Sequence, residues 1–296
     1  MAHRPLEVDL SGHVAMVTGA NRGMGKETAR ELARMGAQVV LACRSKGLGE
    51  SAAAEIANST GNSRVMAMQV DLSSQASVHA FASDFLERFD KLDVLVNNAA
   101  ASLAIREITS EGFERHWATN VLGPYVLTKQ LLPALKAGDE GRIVTVSTLA
   151  AGGLDLTDTQ YERRRYSGTG AYRASKQASR MLTWELADRL IDTPVTANAL
   201  NPGYVLTELT TNVSGPLKLL VKLTSFKAVT PLDGADTAIW LAASPEAKRE
   251  TGKFWNKRRE VRCRFREPRA IQELSKLADR QTGLTRPSAF GRPQRR

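Results

Sequence analysis

Thr18-Gly19-Ala20-Asn21-Arg22-Gly23-Met24-Gly25 is the stretch that most constrains how this chain can fold. It follows an apolar run, His13 to Val17, that reads as a buried strand. It precedes Lys26 to Met35, whose Ala, Leu, Glu and Arg content favours a helix. A glycine turn at such a junction lets backbone N–H groups approach a phosphate, and the helix dipole adds attraction for negative charge. The three glycines divide three tasks: backbone with positive φ, close approach of a ligand, and tight contact between helix and strand. The spacing is Gly-x3-Gly-x-Gly, not the Gly-x-Gly-x-x-Gly of the commonest dinucleotide fingerprint. Taken alone it also fits an ordinary glycine loop, and its place between strand and helix favours the phosphate reading.

The alternation continues along the chain. Val14–Thr18, Gln38–Cys43, Val65–Val70, Val94–Val96, Arg142–Ser147 and Thr196–Leu200 read as strands, most of them rich in Val, and Gly252–Trp255 as a weak edge strand. Gly25–Met35, Leu48–Ala57, Gln75–Phe89, Ser110–Lys136, Ala171–Ile191 and Asp233–Ala242 read as helices, with Pro133 near the end of the fourth. Near-continuous apolar strands separated by helices predict an α/β fold: a single doubly wound parallel sheet of about seven strands, order 3-2-1-4-5-6-7, with right-handed crossovers and helices on both faces. One domain over residues 1–260 is expected, followed by a basic, partly irregular segment, 261–296, with one short helix at Pro268–Asp279.

Two cysteines, Cys43 and Cys263, provide neither a disulfide framework nor zinc spacing, and a reducing cytoplasmic location is the expectation. No apolar stretch reaches membrane-spanning length, and the first ten residues lack the apolar middle of a signal peptide. Net charge is uneven: Lys248 to Arg296 hold 16 Lys/Arg against 5 Asp/Glu, whereas the remainder is close to neutral. That segment reads as a solvated tail; nucleic acid or another anionic surface is the alternative, and no specific nucleic-acid partner is expected. The basic amphipathic stretch Pro216–Phe226 reads as a lid over an apolar pocket or as a membrane-surface contact.

Tyr172 and Lys176 lie four residues apart and share a helix face. A nearby ammonium stabilises phenolate, so the pair suits proton donation to a carbonyl oxygen that receives a hydride. Tyr125 and Lys129 repeat the spacing and read as an ordinary helix pair. What distinguishes Tyr172 is its place after the fifth strand and the Ser147-Thr148 hydroxyls, because doubly wound sheets bind ligands at the carboxyl ends of their strands. The second strand ends Ala42-Cys43-Arg44-Ser45 with no acid before Glu50. An acid there bonds a ribose 2′-hydroxyl, and an arginine accommodates a 2′-phosphate. Arg44, with Arg22 in the glycine turn, therefore predicts NADP(H), unless Arg44 merely faces solvent at the sheet edge.

Taken in order, Thr18-Gly19-x3-Gly23-x-Gly25, Val70-Asp71-Leu72, Asn97-Asn98-Ala99-Ala100, Asn120, Ser147-Thr148, Tyr172-x3-Lys176 and Pro202-Gly203 resemble the short-chain dehydrogenase/reductase family over about residues 12–255. Within it the chain is most similar to the retinol-dehydrogenase-like and related bacterial carbonyl reductases, through Ala42–Ser45, Leu154-Asp155-Leu156, Arg165-Tyr166-Ser167, Ser244-Pro245-Glu246 and Thr251–Phe254. The resemblance implies a cofactor track over Gly19, Asn21, Arg22, Gly23, Met24, Gly25, Arg44, Asp71, Leu72, Asn98, Ala99, Tyr172, Lys176, Pro202, Gly203, Val205 and Thr207. It implies a catalytic set of Asn120, Ser147, Thr148, Tyr172 and Lys176, and no metal. Asp71 would bond the adenine amino group and Asn98 approach the adenine-side ribose. Lys176 would hold the nicotinamide ribose and depress the Tyr172 pKa, and Asn120 would hold a relay water. Pro202-Gly203 and Thr207 would bracket the nicotinamide.

Two departures stand out. Thr148 takes the place of a serine, which restricts χ1 and leaves Ser147 as an alternative hydroxyl. Ala100 takes the place of a glycine. From the residues alone, Asn120 and Asp71 also fit a backbone-bonding helix residue and a turn residue. His79 and His116 read as exposed helix residues, and Trp117 and Trp184 as core or interface. The expected activity is NADPH-dependent reduction of a lipophilic ketone or aldehyde, or the reverse oxidation of an alcohol, in a homodimer or homotetramer. The alternative is a cofactor-binding sensor or scaffold with little turnover.

Overall fold

A computed structural model describes residues 3–203, 229–262 and 264–284. Eight strands form one sheet: β1 Val14–Thr18, β2 Gln38–Cys43, β3 Val65–Gln69, β4 Val94–Asn97, β5 Gly141–Val146, β6 Val195–Asn201, β7 Phe254–Asn256 and β8 Arg259–Val261. Their order is 3-2-1-4-5-6-7-8, parallel throughout except that β8 pairs antiparallel with β7. The doubly wound arrangement is as the alternation predicts. The added strand turns back through Lys257 and Arg258, both at positive φ, so a hairpin closes the edge without the Asn-Gly or Gly-Gly signal usual for such a turn.

Every residue of β1, β4 and β5 is buried, as expected of strands covered on both faces. On one face α1 (Gly23–Arg34), α2 (Lys46–Thr60) and a later helix at Pro231–Ala243 pack on Val17, Val39, Leu41 and Val96. On the other, α3 (Gln75–Arg88) packs on Met16, Val40 and Leu95 with the helices that follow β4 and β5. Each fully buried valine or leucine contributes about 2 kcal/mol relative to exposure.

The predicted helix Ser110–Lys136 is three pieces. α4 (Arg115–Trp117) passes into a π-helical turn, Ala118–Leu122, and then α5 (Gly123–Ala137), which contains Pro133. Residues before Glu114 belong to a loop held by a bridge between Ile108 and Glu114. After β5 and a long spacer comes α6 (Gly168–Arg189), capped by the Ser167 side chain. The helix over Pro231–Ala243 is α7, and α8 spans Pro268–Thr282.

The solvated-tail reading fails for α8. Ile271, Leu274 and Ala278 are buried against Trp117, Tyr125 and Trp184, which are themselves core residues. Its polar residues are equally engaged: Asp279 Oδ1 accepts from the Tyr125 hydroxyl at 2.6 Å and from Lys129 Nζ at 3.0 Å. The Tyr125/Lys129 pair is thus a structural pair that anchors α8. Among the described residues, no helix is long and apolar enough to cross a membrane.

Candidate active site

The glycine turn leaves β1 at its carboxyl end and enters α1. Gly19 and Gly23 take φ of +65° and +56°, conformations that side-chain-bearing residues rarely adopt. Gly25 is helical, but a Cβ there would meet the Asn98 amide and lie 2.6 Å from Gly19 O, so this glycine serves close packing. Arg22 occupies the N-cap position of α1 with extended backbone and no side-chain cap bond, so no side chain at that position satisfies the first-turn N–H groups. By contrast α2, α3, α6 and α7 are each capped by a serine or threonine side chain. A turn with two left-handed glycines and an uncapped helix start fits the pyrophosphate of a dinucleotide. Asn21 and Met24 lie within this turn and its first helical residues.

Beneath the turn, Thr18 and Asn98 join β1 to the end of β4. The Thr18 hydroxyl accepts from the N–H groups of Asn98 and Ala99, both at 3.0 Å. Asn98 Nδ2 donates to Thr18 O at 2.8 Å, and Ala99 backs Gly19. The Asn98 amide therefore faces the turn itself. Ala100 does not take positive φ, so a Cβ is tolerated where the family more often has glycine.

Arg44, exposed at the end of β2, lines a cleft with Gln69, Asp71 and Ser77. Asp71 Oδ1 accepts from the N–H and hydroxyl of Ser73, at 2.9 and 2.7 Å, the turn geometry that its sequence also fits. Leu72 is buried, with its carbonyl against Gly123 at the start of α5.

β5 delivers Ser147 and Thr148 to the same edge, and α6 brings Lys176 against them, with Tyr172 one turn earlier on that helix. Lys176 Nζ donates to Val146 O at 2.8 Å, and the Ser147 hydroxyl donates to Lys176 O at 3.1 Å. Ser147 is buried and spent on that packing bond. Thr148 is half-buried; its oxygen accepts from Ala150 N–H at 3.2 Å, so its proton remains to be donated. Lys176 Nζ lies 5.8 Å from the centre of the half-buried Tyr172 ring. Burial pushes the Lys176 ammonium down to about 8 and the Tyr172 phenol up. The phenol thus moves opposite to the depression that the resemblance implies, because loss of hydration is its sole cause of shift while the Lys176 amine is spent on the strand carbonyl.

Asn120 sits in the π turn. Its amide donates to Ala101 O and Ser175 Oγ, both at 3.0 Å, and its carbonyl accepts from Ala101 N–H at 2.7 Å. Single-turn π segments concentrate at functional sites, and this one aims Asn120 between the loop after β4 and α6. Behind it a cavity of about 50 Å³ is lined by Asn97, Asn120, Thr128, Lys176 and Thr183. Most of its wall is apolar, from Val121, Ile143, Val146 and Leu182 among others, and these polar groups are the partners it offers.

Pro202 and Gly203 follow β6, with Gly203 at φ +84°. Val205, Thr207 and the Pro216–Phe226 segment lie outside the described residues.

His116 is not an exposed helix residue: it is 0% exposed and bonded to Glu114 beside Tyr172. Neither Glu114 nor His116 stands out in sequence, where both fall inside the helix read over Ser110–Lys136. His79, half-buried on α3, meets Gln130 of α5.

A phosphate-directed glycine turn and a hydroxyl, phenol and amine at one end of a doubly wound sheet define a dinucleotide-dependent oxidoreductase. Residues 13–217 match the sequence model of the short chain dehydrogenase family, and the chain belongs to that family. It is similar to mouse retinol dehydrogenase 12, 42% identical over 273 residues, which span 90% of this chain and 85% of that protein. Among solved structures it resembles an uncharacterized protein from Mycobacterium paratuberculosis, with TM-score 0.76, 31% identity, and coverage of 93% of this chain and 95% of that one. It also resembles L-sorbose reductase from Gluconobacter frateurii, crystallised with NADPH and L-sorbose, with TM-score 0.68, 25% identity, and coverage of 84% and 96%.

Proposed function

We propose that this protein is an NADP(H)-dependent oxidoreductase that interconverts a lipophilic ketone or aldehyde and its alcohol. The observation that carries the chemistry is the division of labour at the carboxyl end of β5. Ser147 is consumed by packing, whereas Thr148 keeps a proton to donate, and the next helix carries the phenol of Tyr172. A nicotinamide dinucleotide, held by the turn over Gly19–Gly25 and the cleft of Arg44 and Asp71, supplies or takes up hydride at the carbonyl carbon. Thr148 donates a hydrogen bond to the carbonyl oxygen and steadies its growing negative charge. Tyr172 delivers its proton to that oxygen. A phenol raised by burial stays protonated at neutral pH, so the reductive direction finds the acid in its required form. Lys176 holds the backbone of β5 and α6 together at the site, with its amine 5.8 Å from the centre of the Tyr172 ring.

The preference for NADP(H) rests on Arg44 at the end of β2, with Arg22 in the turn as a second cation. The lipophilic substrate rests on exposed Leu149 directly after Thr148. Mouse retinol dehydrogenase 12 and the sorbose reductase, by name, act on alcohols or carbonyls, which agrees with this reaction class.

Two measurements test the reading. Tyr172→Phe is expected to abolish most turnover while NADPH binding, followed by fluorescence, survives; retention of most turnover would remove the assigned acid. Arg44→Ala is expected to lower kcat/KM for NADPH by about tenfold while sparing NADH, the size of one lost charge-assisted bond. A wild-type preference for NADH would reverse the cofactor assignment.

A further inference from the structure

Outside the residues that carry the proposed chemistry, a buried polar group lies beside Tyr172. Glu114 and His116 are 1% and 0% exposed. Glu114 Oε2 accepts from Trp117 N–H at 2.9 Å, capping the helical run that leads to Asn120. Its Oε1 lies 2.8 Å from His116 Nδ1 and accepts from the Tyr166 hydroxyl at 3.2 Å. His116 Nε2 accepts from Leu103 N–H at 2.9 Å, so the ring proton sits on Nδ1 and points at the carboxylate. Burial raises the Glu114 carboxyl, yet the bonds from His116 and from Trp117 N–H outweigh it and hold the group below its ordinary value. Both ring nitrogens are therefore committed, and the imidazole has no freedom to turn.

This locked ring stands edge-on to Tyr172, with centroids 6.5 Å apart and planes at 70°. The same group holds the spacer before α6. Glu114 N–H donates to Gln160 Oε1 at 2.7 Å, and the Tyr166 ring packs edge-on to Tyr161 at 5.4 Å. Tyr161 is buried at φ +54°, a strained conformation for an aromatic residue, with the Arg164 guanidinium 3.9 Å over its ring. Leu103 is held from its other side too, because its carbonyl lies against Gly168 at the start of α6. The loop after β4, the spacer and the first turn of α6 thus meet at Glu114 and His116.

We propose that Glu114, His116 and Tyr166 are positioning residues for Tyr172: they fix an imidazole edge against the phenol ring and tie its aim to the spacer that borders the substrate. The inference rests on Tyr172 being the acid. It adds that proton delivery depends on a ring that touches neither substrate nor cofactor.

The test is a double-mutant cycle in the full chain. His116→Gln keeps hydrogen-bonding reach and removes the ring edge. It is expected to lower kcat by about ten- to a hundredfold, the cost of misaiming a reacting group, with KM for NADPH changed less than about twofold. Added to Tyr172→Phe, it is expected to change residual turnover by less than about twofold, because the group it aims is already gone. Tyr166→Phe, which removes one partly exposed hydroxyl, is expected to lower kcat in the same direction by about threefold. It carries the test alone if His116→Gln does not fold. Unchanged kcat in these variants, equal losses in both Tyr172 backgrounds, or a parallel loss of NADPH binding would each overturn the inference while leaving Tyr172 as the acid. Full turnover by Tyr172→Phe alone would overturn the acid and this inference together.

Discussion

Lys176 is 3% exposed, and its amine donates to a backbone carbonyl with no carboxylate among the causes of its shift. Dehydration disfavours the ammonium, and its pKa falls from 10.5 to about 8. Between about pH 8 and 10.5 the unfolded chain holds a proton that the folded chain has released, so folding gains stability as pH rises through that window. Below it, both states are charged and the folded state bears the full dehydration cost. Lys176→Met removes this dependence. Denaturant unfolding should find the methionine variant most favoured over wild type below pH 8, with the difference shrinking toward pH 10. A difference that grows with pH would show that the amine is held as a cation. The neighbouring hydroxyls teach a related lesson. Ser147 and Thr148 are adjacent and chemically alike, and only their partners, Lys176 O for one and Ala150 N–H for the other, separate a packing role from a donating one. In sequence, only the resemblance separates them: as the second residue of the pair Thr148 is the expected hydroxyl, with Ser147 as the alternative.

At the scale of elements, the glycine turn was legible because each of its constraints is local: strand before, helix after, left-handed backbone between. Its third constraint is tertiary. Gly25→Ala would place a methyl against the Asn98 amide and Gly19 O, contacts made only once β4 lies beside β1. Overpacking of this kind costs about 1–3 kcal/mol, and the turn would have to open. Thermal unfolding should show that loss together with a raised KM for the cofactor; wild-type values for both would mean that the turn relaxes freely. The strands were readable from their Val-rich runs. The π turn was not, since Trp117, Val121, Leu122 and Tyr125 keep the same apolar side in either helix type over so few residues. β8 was not, because Arg259-Glu260-Val261 is short and polar and its turn uses Lys257 and Arg258 at positive φ in place of glycine. His116 was misread because its burial comes from Leu103 and Tyr166, far along the chain in either direction.

Across the whole molecule, α8 is the element whose sequence gave least indication of its place. Ile271, Leu274 and Ala278 mark one helix face, but a basic context reads as solvated until Trp117, Tyr125 and Trp184 are seen beneath it. Polar contacts then match its other residues: Ser275 Oγ donates to Glu185 Oε1 at 3.0 Å, and Trp117 Nε1 donates to Gln281 Oε1 at 2.8 Å. Leu274 is 0% exposed, so Leu274→Ala should cost about 3 kcal/mol in denaturant unfolding. A cost under about 1 kcal/mol would return the segment to the status of an appendage. This docking also bears on how the polypeptide is made. Leu274 leaves the ribosome 90 residues after Trp184, an interval of roughly 5 to 20 seconds at ordinary elongation rates. Throughout that interval two indoles wait without their cover, and a nascent chain that already owns its nucleotide cradle still presents a sticky flank to chaperones.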